Sequence, residues 1–135
     1  SDPSVVTVDT IGFTKGWATP LKKGKATITA TANGVTGSTE ITVTDAKLQS
    51  IEVQSGVKEI KIQQTVPLKA LGKFSGGLQL DITAYATWLS SDAKIAGISN
   101  AWGSWGQIKG LQAGDVTATA VRDGVEGKLS LKVKQ

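Results

Sequence analysis

Apolar and polar residues alternate in short runs along most of this chain. Residues 129–134 (LSLKVK) alternate leucine and valine with serine and lysine, and residues 115–122 (DVTATAVR) alternate valine and alanine with threonine. A period of two is the side-chain period of a β-strand that buries one face. No stretch keeps a helical period for three turns. The pattern therefore predicts an all-β protein.

Further apolar runs extend this prediction to the middle of the chain. They are predicted as strands at residues 50–54, 59–63, 66–70, 84–89, 95–99 and 107–109. Pro67 marks its run as an edge strand or a strand start, because proline cannot donate a backbone hydrogen bond. Trp88 is the predicted centre of the core, with Ala84 and Ala86 on the same face leaving volume for its indole. Short strands separated by turns every ~8–12 residues are typical of an antiparallel β-sandwich.

The chain also repeats itself. When it is shifted by 90 residues, residues 1–45 align with residues 91–135 without a gap. An ungapped match of this length, with turn glycines in register, indicates tandem repeats of one small domain. We interpret residues 1–45 as the C-terminal half of a truncated repeat and residues 46–135 as a complete domain.

Two equivalent positions of the repeat carry the strongest turn signals. Asn33-Gly34 follows one alternating run, and Asp123-Gly124 follows the other. Both dipeptides favour the type I′ turn, which needs positive φ at its two central residues. The sequence therefore predicts a tight hairpin in each copy.

Residues 1–45 supply strands for half a sandwich. The inward faces of these strands, such as Ala26, Ile28 and Ile41, lack a facing sheet of their own. Half a core does not offset the entropy of ordering the backbone. We expect this half to be mobile unless it packs on the complete domain.

Several segments resemble the group-two bacterial immunoglobulin-like domain. They are residues 87–92 (TWLSSD), 95–100 (IAGISN), 106–114 (GQIKGLQAG), 116–120 (VTATA) and 124–127 (GVEG). More narrowly, W-x-S-S and S-N-A in a repeat of this length resemble the leptospiral immunoglobulin-like surface adhesins. The resemblance implies an immunoglobulin-like antiparallel β-sandwich without a disulfide, in tandem repeats on the bacterial outer-membrane surface. It also implies host extracellular-matrix proteins such as fibronectin as partners, and calcium as a candidate cofactor.

Composition removes several classes of function. The chain contains no His, Cys or Met, which excludes His-based triads, thiol nucleophiles and Cys/His zinc sites. No local pair of carboxylates suggests a hydrolase, so we expect no enzyme activity. The net charge of +4 comes with a single Arg, and dispersed lysines do not predict nucleic-acid binding. No run approaches the ~18 apolar residues of a membrane span, so we expect no membrane insertion of these residues. We also expect a monomer.

Two tryptophans stand in a predicted loop among Gly, Ser and Asn. Trp102 and Trp105 align with Gly12 and Lys15 of the first copy, whereas Trp17 aligns with Gln107. A core position would keep its ring in one place, because interior volume is tightly constrained. We therefore treat Trp102 and Trp105 as candidate protein-binding residues, since Trp is a favoured hot-spot residue. The alternative is that an indole caps one end of the sandwich.

Scattered carboxylates make the candidate calcium ligands. They are Asp81, Asp92, Asp115 and Asp123, in predicted turns or at strand ends. The chain lacks the EF-hand pattern, so any such site would combine two carboxylates with loop carbonyls and bind weakly. The alternative is that Asp81 and Asp92 cap local backbone amides and that Asp123 belongs to the hairpin turn.

Lys128 and Lys132 on the outer face of the last strand complete the candidate binding residues. An acidic partner could engage them, or they could protect an exposed strand edge from pairing with other chains. We predict a non-enzymatic adhesin that binds a host matrix protein. The alternative is a structural spacer in the stalk of a surface protein. An exposed indole at residue 102 or 105 favours adhesion, and two shielded rings favour the spacer.

Overall fold

The computed structural model describes residues 2–135. The chain divides into two compact units, Ser1–Asp45 (unit 1) and Ala46–Gln135 (unit 2). Strands dominate both units, and among the described residues the helical segments are the short 3-10 turns Gly12–Thr14 and Ser75–Gly77. Within that part of the chain, no helix has the length and apolar character needed to cross a bilayer. The all-β prediction is confirmed.

The longer strands of unit 2 follow the predicted alternation of buried and exposed side chains, whereas the strands of unit 1 are mostly exposed. In unit 1 they are β1 (Val6–Val8), β2 (Ala18–Pro20), β3 (Gly24–Ala32) and β4 (Val35–Val43). In unit 2 they are β5 (Leu48–Ser55), β6 (Glu59–Lys61), β7 (Thr65–Phe74), β8 (Gln79–Asp81), β9 (Thr87–Ser90), β10 (Ala96–Ile98), β11 (Gln107–Gly110), β12 (Gly114–Arg122) and β13 (Val125–Lys134).

Unit 2 is a sandwich of two sheets. One sheet has the strand order β10-β11-β7-β5, with β8 also paired to β7, and the other has the order β6-β13-β12-β9. The neighbouring strands run antiparallel, except that β6 lies parallel to β13. Apolar side chains from both sheets form one continuous core. The predicted β-sandwich is therefore the architecture of unit 2.

Trp88 is the largest side chain that is almost completely buried, with 1% of its surface exposed. Its indole Nε1–H donates a hydrogen bond to the carbonyl oxygen of Thr83 at 2.9 Å. A buried indole needs such a partner, because an unsatisfied N–H in a core is costly. The prediction of Trp88 as the central core residue is confirmed.

The strand that carries Trp88 is shorter than the sequence predicts. β9 begins at Thr87, and the preceding residues form a turn in which the amides of Tyr85 and Ala86 both donate to the carbonyl of Ile82 at 2.9 Å. Ala84 is consequently exposed, and its predicted place beside Trp88 is wrong. Ile82, with 2% of its surface exposed, joins the core instead.

Pro67 lies at a strand start rather than at a sheet edge. It is the third residue of β7, which lies between β11 and β5, and it stands opposite Gln107. Pairing of β7 with β5 begins only at Leu68, so the missing proline N–H removes no bond on that side. Of the two predicted readings, the strand start is correct.

Both predicted hairpins are present. Asn33 and Gly34 have φ values of 49° and 78°, and Asp123 and Gly124 have values of 50° and 76°. Positive φ at both central residues is the signature of the type I′ turn. In each hairpin the flanking strands pair over nine residues, β3 with β4 and β12 with β13.

Unit 1 repeats much of the backbone hydrogen bonding of the second half of unit 2. The amide of Leu21 donates to the carbonyl of Val5 at 2.8 Å, and 90 residues later that of Leu111 donates to Ile95 at the same distance. The β3–β4 register also coincides with the β12–β13 register after this shift. The two sequence copies therefore adopt the same local frame.

The core of unit 1 is small. Val5, Val6 and Ala26 are buried, whereas Ile28 and Ile41, which were predicted to face inward, are half-buried. The expected mobility of this unit stays a prediction.

Candidate functional site

The tryptophan loop, residues 99–106, joins β10 to β11 and is closed by its own hydrogen bonds. The hydroxyl oxygens of Ser99 and Ser104 lie 2.7 Å apart, and the amide of Ala101 donates to the Ser99 hydroxyl at 3.1 Å. The amide of Gly106 donates to the carbonyl of Ser99 at 3.0 Å. The small polar residues predicted as a loop thus form a defined turn.

This loop is also fixed to the core. The Asn100 side chain accepts a hydrogen bond from the Trp88 amide at 2.7 Å and donates one to the Trp88 carbonyl at 2.9 Å. Gly106 has φ +70°, and a Cβ there would lie 3.0 Å from both the Trp88 ring and the Leu68 carbonyl oxygen. The loop is therefore held against the central indole from two sides.

The two loop tryptophans differ in exposure. Trp102 has 89% of its surface exposed, whereas Trp105 is half-buried. Their ring centroids lie 6.2 Å apart in an edge-on arrangement with an interplanar angle of 67°. An exposed indole on a fixed loop offers apolar area to a partner with little loss of conformational entropy.

A shallow groove of about 610 Å³ lies beside Trp105. Its lining includes Pro67, Thr83, Tyr85 and Gln107. Tyr85 is 71% exposed, and the Arg122 guanidinium lies over its ring at 5.3 Å from the centroid. Two aromatic residues, Trp105 and Tyr85, therefore line the groove together with polar side chains.

Asp81 contributes a carboxylate to this groove. Its Oδ1 accepts hydrogen bonds from the hydroxyl of Thr83 at 2.6 Å and from the Thr83 amide at 3.0 Å. The Thr83 hydroxyl is the main reason that the pKa of Asp81 is lowered from its ordinary value. Lys69 lies 3.6 Å from the other carboxylate oxygen. Asp81 is thus ionised and already partnered.

The other three candidate calcium ligands lie in separate local settings. Asp92 accepts a hydrogen bond from the Lys94 amide at 2.8 Å, Asp115 faces Lys132 at 3.9 Å, and Asp123 occupies the hairpin turn. Over residues 2–135, no three acidic, His or Cys side chains come together. The amide bonds to Asp81 and Asp92 match the capping alternative for those two residues, and the calcium site stays a prediction.

The candidate lysines lie on the other sheet from the tryptophan loop. Lys128 pairs with Glu126 at 3.0 Å and Lys132 with Asp115 at 3.9 Å. β13 lies between β12 and β6, so for Lys132 the alternative of protecting a free edge is wrong. The lysines and the tryptophans do not share one sheet and do not form a common patch.

The sequence analysis missed Tyr85, Arg122 and Asn100. Tyr85 and Arg122 come together because β9 pairs with β12. Asn100 reaches Trp88 because the end of β10 in one sheet lies against β9 in the other. Both relations depend on tertiary pairing, and the sequence carries no local signal for either of them.

Comparison with known proteins gives one relative by sequence. The chain is 33% identical over 120 residues to a protein named Ice-binding protein 1, from Shewanella frigidimarina (strain NCIMB 400). The match covers 89% of this chain and 13% of that protein. The chain therefore spans only a small part of this relative. No protein-family model matches the chain.

Solved structures with a similar fold come from surface-layer proteins. Domains 4 and 5 of the S-layer protein SbsC give a TM-score of 0.56 at 23% identity, covering 98% of this chain and 67% of that one. The longer S-layer structure rSbsC(31-844) gives a TM-score of 0.54 at 23% identity, covering 98% and 19%. At this identity the likeness shows a shared fold alone. The resemblance to leptospiral adhesins stays a prediction.

Proposed function

We propose that this chain is a structural, non-enzymatic repeat of an extracellular surface protein, a tether that holds other parts of a larger protein away from the cell. The names of the similar proteins, an S-layer protein and an ice-binding protein, support an extracellular setting. A bacterial outer-membrane surface is the setting that we propose for this chain. The observation that carries the proposal is the parallel pairing of β6 with β13.

This pairing is suited to resisting tension. Lys132 donates its amide to the Lys58 carbonyl at 3.0 Å, and Ile62 donates its amide to the Lys134 carbonyl at 2.9 Å. An ion pair between Lys134 and Glu59 at 2.6 Å spans the same two strands. In a parallel pair, a pull on the start of one strand and the end of the other slides the strands past each other. All bonds of the pair then resist the pull together.

Single-molecule force unfolding tests the tether. The chain contains no Cys, so pairs of introduced cysteines define the pulling axis. We expect unit 2 to unfold at a clearly higher force when pulled from Lys58→Cys and Gln135→Cys, at the start of β6 and the end of β13, than when pulled from Lys58→Cys and Lys132→Cys. The second pair peels β6 from β13 one bond at a time. Equal forces along the two axes would contradict the proposal.

A second candidate function, adhesion, is favoured by the exposure of Trp102. The patch formed by Trp102 and Trp105 would bind an extracellular-matrix protein such as fibronectin. In a pull-down with fibronectin, Trp102→Ala is expected to reduce retention about tenfold or more, as for a central hot-spot residue. Trp17→Ala in unit 1, which also removes an exposed indole, is the matched control and should leave retention unchanged. Equal retention of all variants would exclude this use of the loop.

In this second candidate function, calcium would modulate the binding of the extracellular-matrix protein. A titration to millimolar calcium should then shift the amide resonances of residues around Asp81, Asp92, Asp115 or Asp123. Asn substitutions at these positions should remove the shifts, because they remove ligand charge. A titration with neither heat nor amide shifts would remove calcium from the proposal.

A further inference from the structure

Unit 1 has a partly apolar face whose counterpart in unit 2 is more fully covered. We call it the acceptor face, and its groove of about 520 Å³ is lined by Val6, Val8, Ala26 and Ile28, among others. The residues 90 positions later are Ala96, Ile98, Val116 and Ala118. Val6 and Ala26 are buried like their counterparts, and Val8 and Ile98 are both half-buried. The difference lies at Ile28, which is half-buried, whereas its counterpart Ala118 has 0% of its surface exposed. Strands from residues 46–90 provide the cover in unit 2.

A strand edge of unit 1 is available at the corresponding place. In unit 2, β12 pairs with β13 on one side and with β9 on the other, where Ala118–Val121 meet Thr87–Ser90. The residues equivalent to Ala118–Val121 are 28–31 on β3. Within the described part of unit 1, β3 pairs with β4 alone. The edge that β9 occupies in unit 2 therefore has no strand beside it in unit 1.

Gly37 gives an independent sign of a missing backbone. Its counterpart Gly127 is glycine for a steric reason, since a Cβ there would collide with the carbonyl of Ile51 on β5. A Cβ at Gly37 would meet nothing within 4 Å. Glycine weakens a strand interior and usually marks a close approach of another backbone. Gly37 thus provides the space that a β5-like strand requires, although no strand lies there.

Small residues leave room for an aromatic ring as well. Trp88 stands opposite Ala120 in the β9–β12 register and packs on Gly106. The equivalent residues in unit 1 are Ala30, which is exposed, and Gly16, where a Cβ would meet nothing within 4 Å. The open space beside Ala30 and Gly16 therefore corresponds to the space that the Trp88 side chain fills in unit 2.

We propose that the acceptor face binds a half repeat with the topology of residues 46–90. Its first strand passes over Gly37 as β5 passes over Gly127, and its last strand pairs with residues 28–31 and carries a large aromatic side chain over Ala30. The proposal for the acceptor face is based only on the equivalence of the two sequence copies. It therefore holds even if the force experiment contradicts the tether function of unit 2.

The test joins a second copy of residues 46–90 in front of Ser1 of the full chain. Hydrogen exchange is then followed at the amides of Thr29 and Thr31, the equivalents of Thr119 and Val121, in the extended and the original chain. Trp88, opposite Ala120, directs its own amide and carbonyl to Asn100, so the bonds between β9 and β12 form at the flanking residues. We expect the extended chain to exchange these amides about tenfold more slowly or better, because the new strand protects them. A copy with alanine at the position of Trp88 should lose most of that protection. Unit 2, present in both proteins, reports whether the preparation is folded.

Gly37→Val provides a second test that does not depend on the added tryptophan. In the original chain it should leave exchange at Thr29 and Thr31 unchanged, because the space around Gly37 is open. In the extended chain it should remove the gained protection, because the side chain blocks the incoming strand. Ser38→Val, on the opposite face of β4, is the matched control and should leave that protection intact.

Two results would overturn the proposal. One is equal protection of Thr29 and Thr31 in the original and extended chains, which would mean that unit 2 or a second molecule covers the face already, or that nothing does. The other is full protection in the extended chain carrying Gly37→Val, which would mean that the half repeat packs elsewhere.

Discussion

Unit 1 and unit 2 contain the same hairpin, the same type of turn dipeptide and the same β-strand register. The two units differ in how much of the hairpin's side-chain surface is buried. Val116 at the start of β12 lies in a continuous core, and its counterpart Ala26 belongs to a cluster of three buried residues. The backbone frame of a repeat is therefore encoded locally. Its burial depends on the other half of the sandwich, which carries the large side chains.

The largest difference between the units is the central indole, which unit 1 lacks. Trp88→Ala should destabilise unit 2 by about 3–5 kcal/mol, as expected for removing a buried large aromatic side chain. Denaturant unfolding followed by circular dichroism measures the change. Trp102→Ala is the control and should change stability by less than about 0.5 kcal/mol, since its ring is exposed. Similar losses for the two variants would mean that the core is not centred on Trp88.

Features that depend on residues close together in the sequence were predictable, whereas features that depend on tertiary contacts were not. The hairpins at Asn33-Gly34 and Asp123-Gly124 were predictable, because the turn type depends on two adjacent residues. Trp88 was predictable as core from its size and the strand pattern. The turn before Trp88 was not predictable, because it depends on the packing of Ile82 in the core and on the bond from the Trp88 indole to the Thr83 carbonyl.

The candidate site was predictable only in part. The unusual composition of the loop singled out Trp102 and Trp105, and Trp102 is indeed exposed. The contacts that hold the loop in place were not predictable, because Asn100 bonds Trp88 across the two sheets. The same holds for Arg122 over Tyr85. Local patterns can identify which residues are unusual, while sheet pairing decides what they contact.

The next largest contrast is between two equivalent glycines. Gly127→Ala should destabilise unit 2 by about 1–3 kcal/mol, because the added methyl group collides with the Ile51 backbone and forces the sheets apart. Gly37→Ala should be neutral or stabilise unit 1 by up to about 1 kcal/mol, because its surroundings are open and alanine has less backbone freedom to lose. Thermal unfolding of the two single variants measures both changes. A loss of stability at Gly37 equal to that at Gly127 would mean that its surroundings are already occupied.

A smaller contrast concerns the residue that begins the loop. Asn100→Ala should destabilise unit 2 by about 1–3 kcal/mol, because the amide and carbonyl of Trp88 lose their partner in a partly buried place. Thr10→Ala, at the equivalent exposed position of unit 1, should cost less than about 0.5 kcal/mol. Hydrogen exchange of the Trp88 amide gives a direct measurement. Unchanged exchange at Trp88 in Asn100→Ala would show that the loop is held by its other contacts.

The smallest expected effect concerns two carboxylates, one in each unit, whose pKa values are lowered for different reasons. In unit 2 the Thr83 hydroxyl lowers the pKa of Asp81, and in unit 1 the hydrogen bond from Lys23 lowers the pKa of Asp45. A carboxylate whose pKa is lowered by folding stabilises the folded state at pH values above its unfolded pKa of about 4. This stabilisation is lost as the pH falls through the folded pKa. Salt screens exposed ion pairs but not a bond from a neutral hydroxyl.

Carboxyl-carbon NMR titrations at low and high salt therefore distinguish the two units. We expect salt to raise the pKa of Asp45 towards its ordinary value and to leave that of Asp81 nearly unchanged. Thr83→Val should raise the pKa of Asp81 at both salt concentrations, whereas Thr83→Ser keeps the hydroxyl and should keep the pKa low. If salt moved both pKa values equally, Lys69 rather than Thr83 would be the main partner of Asp81, and the two carboxylates would differ in location but not in the cause of their acidity.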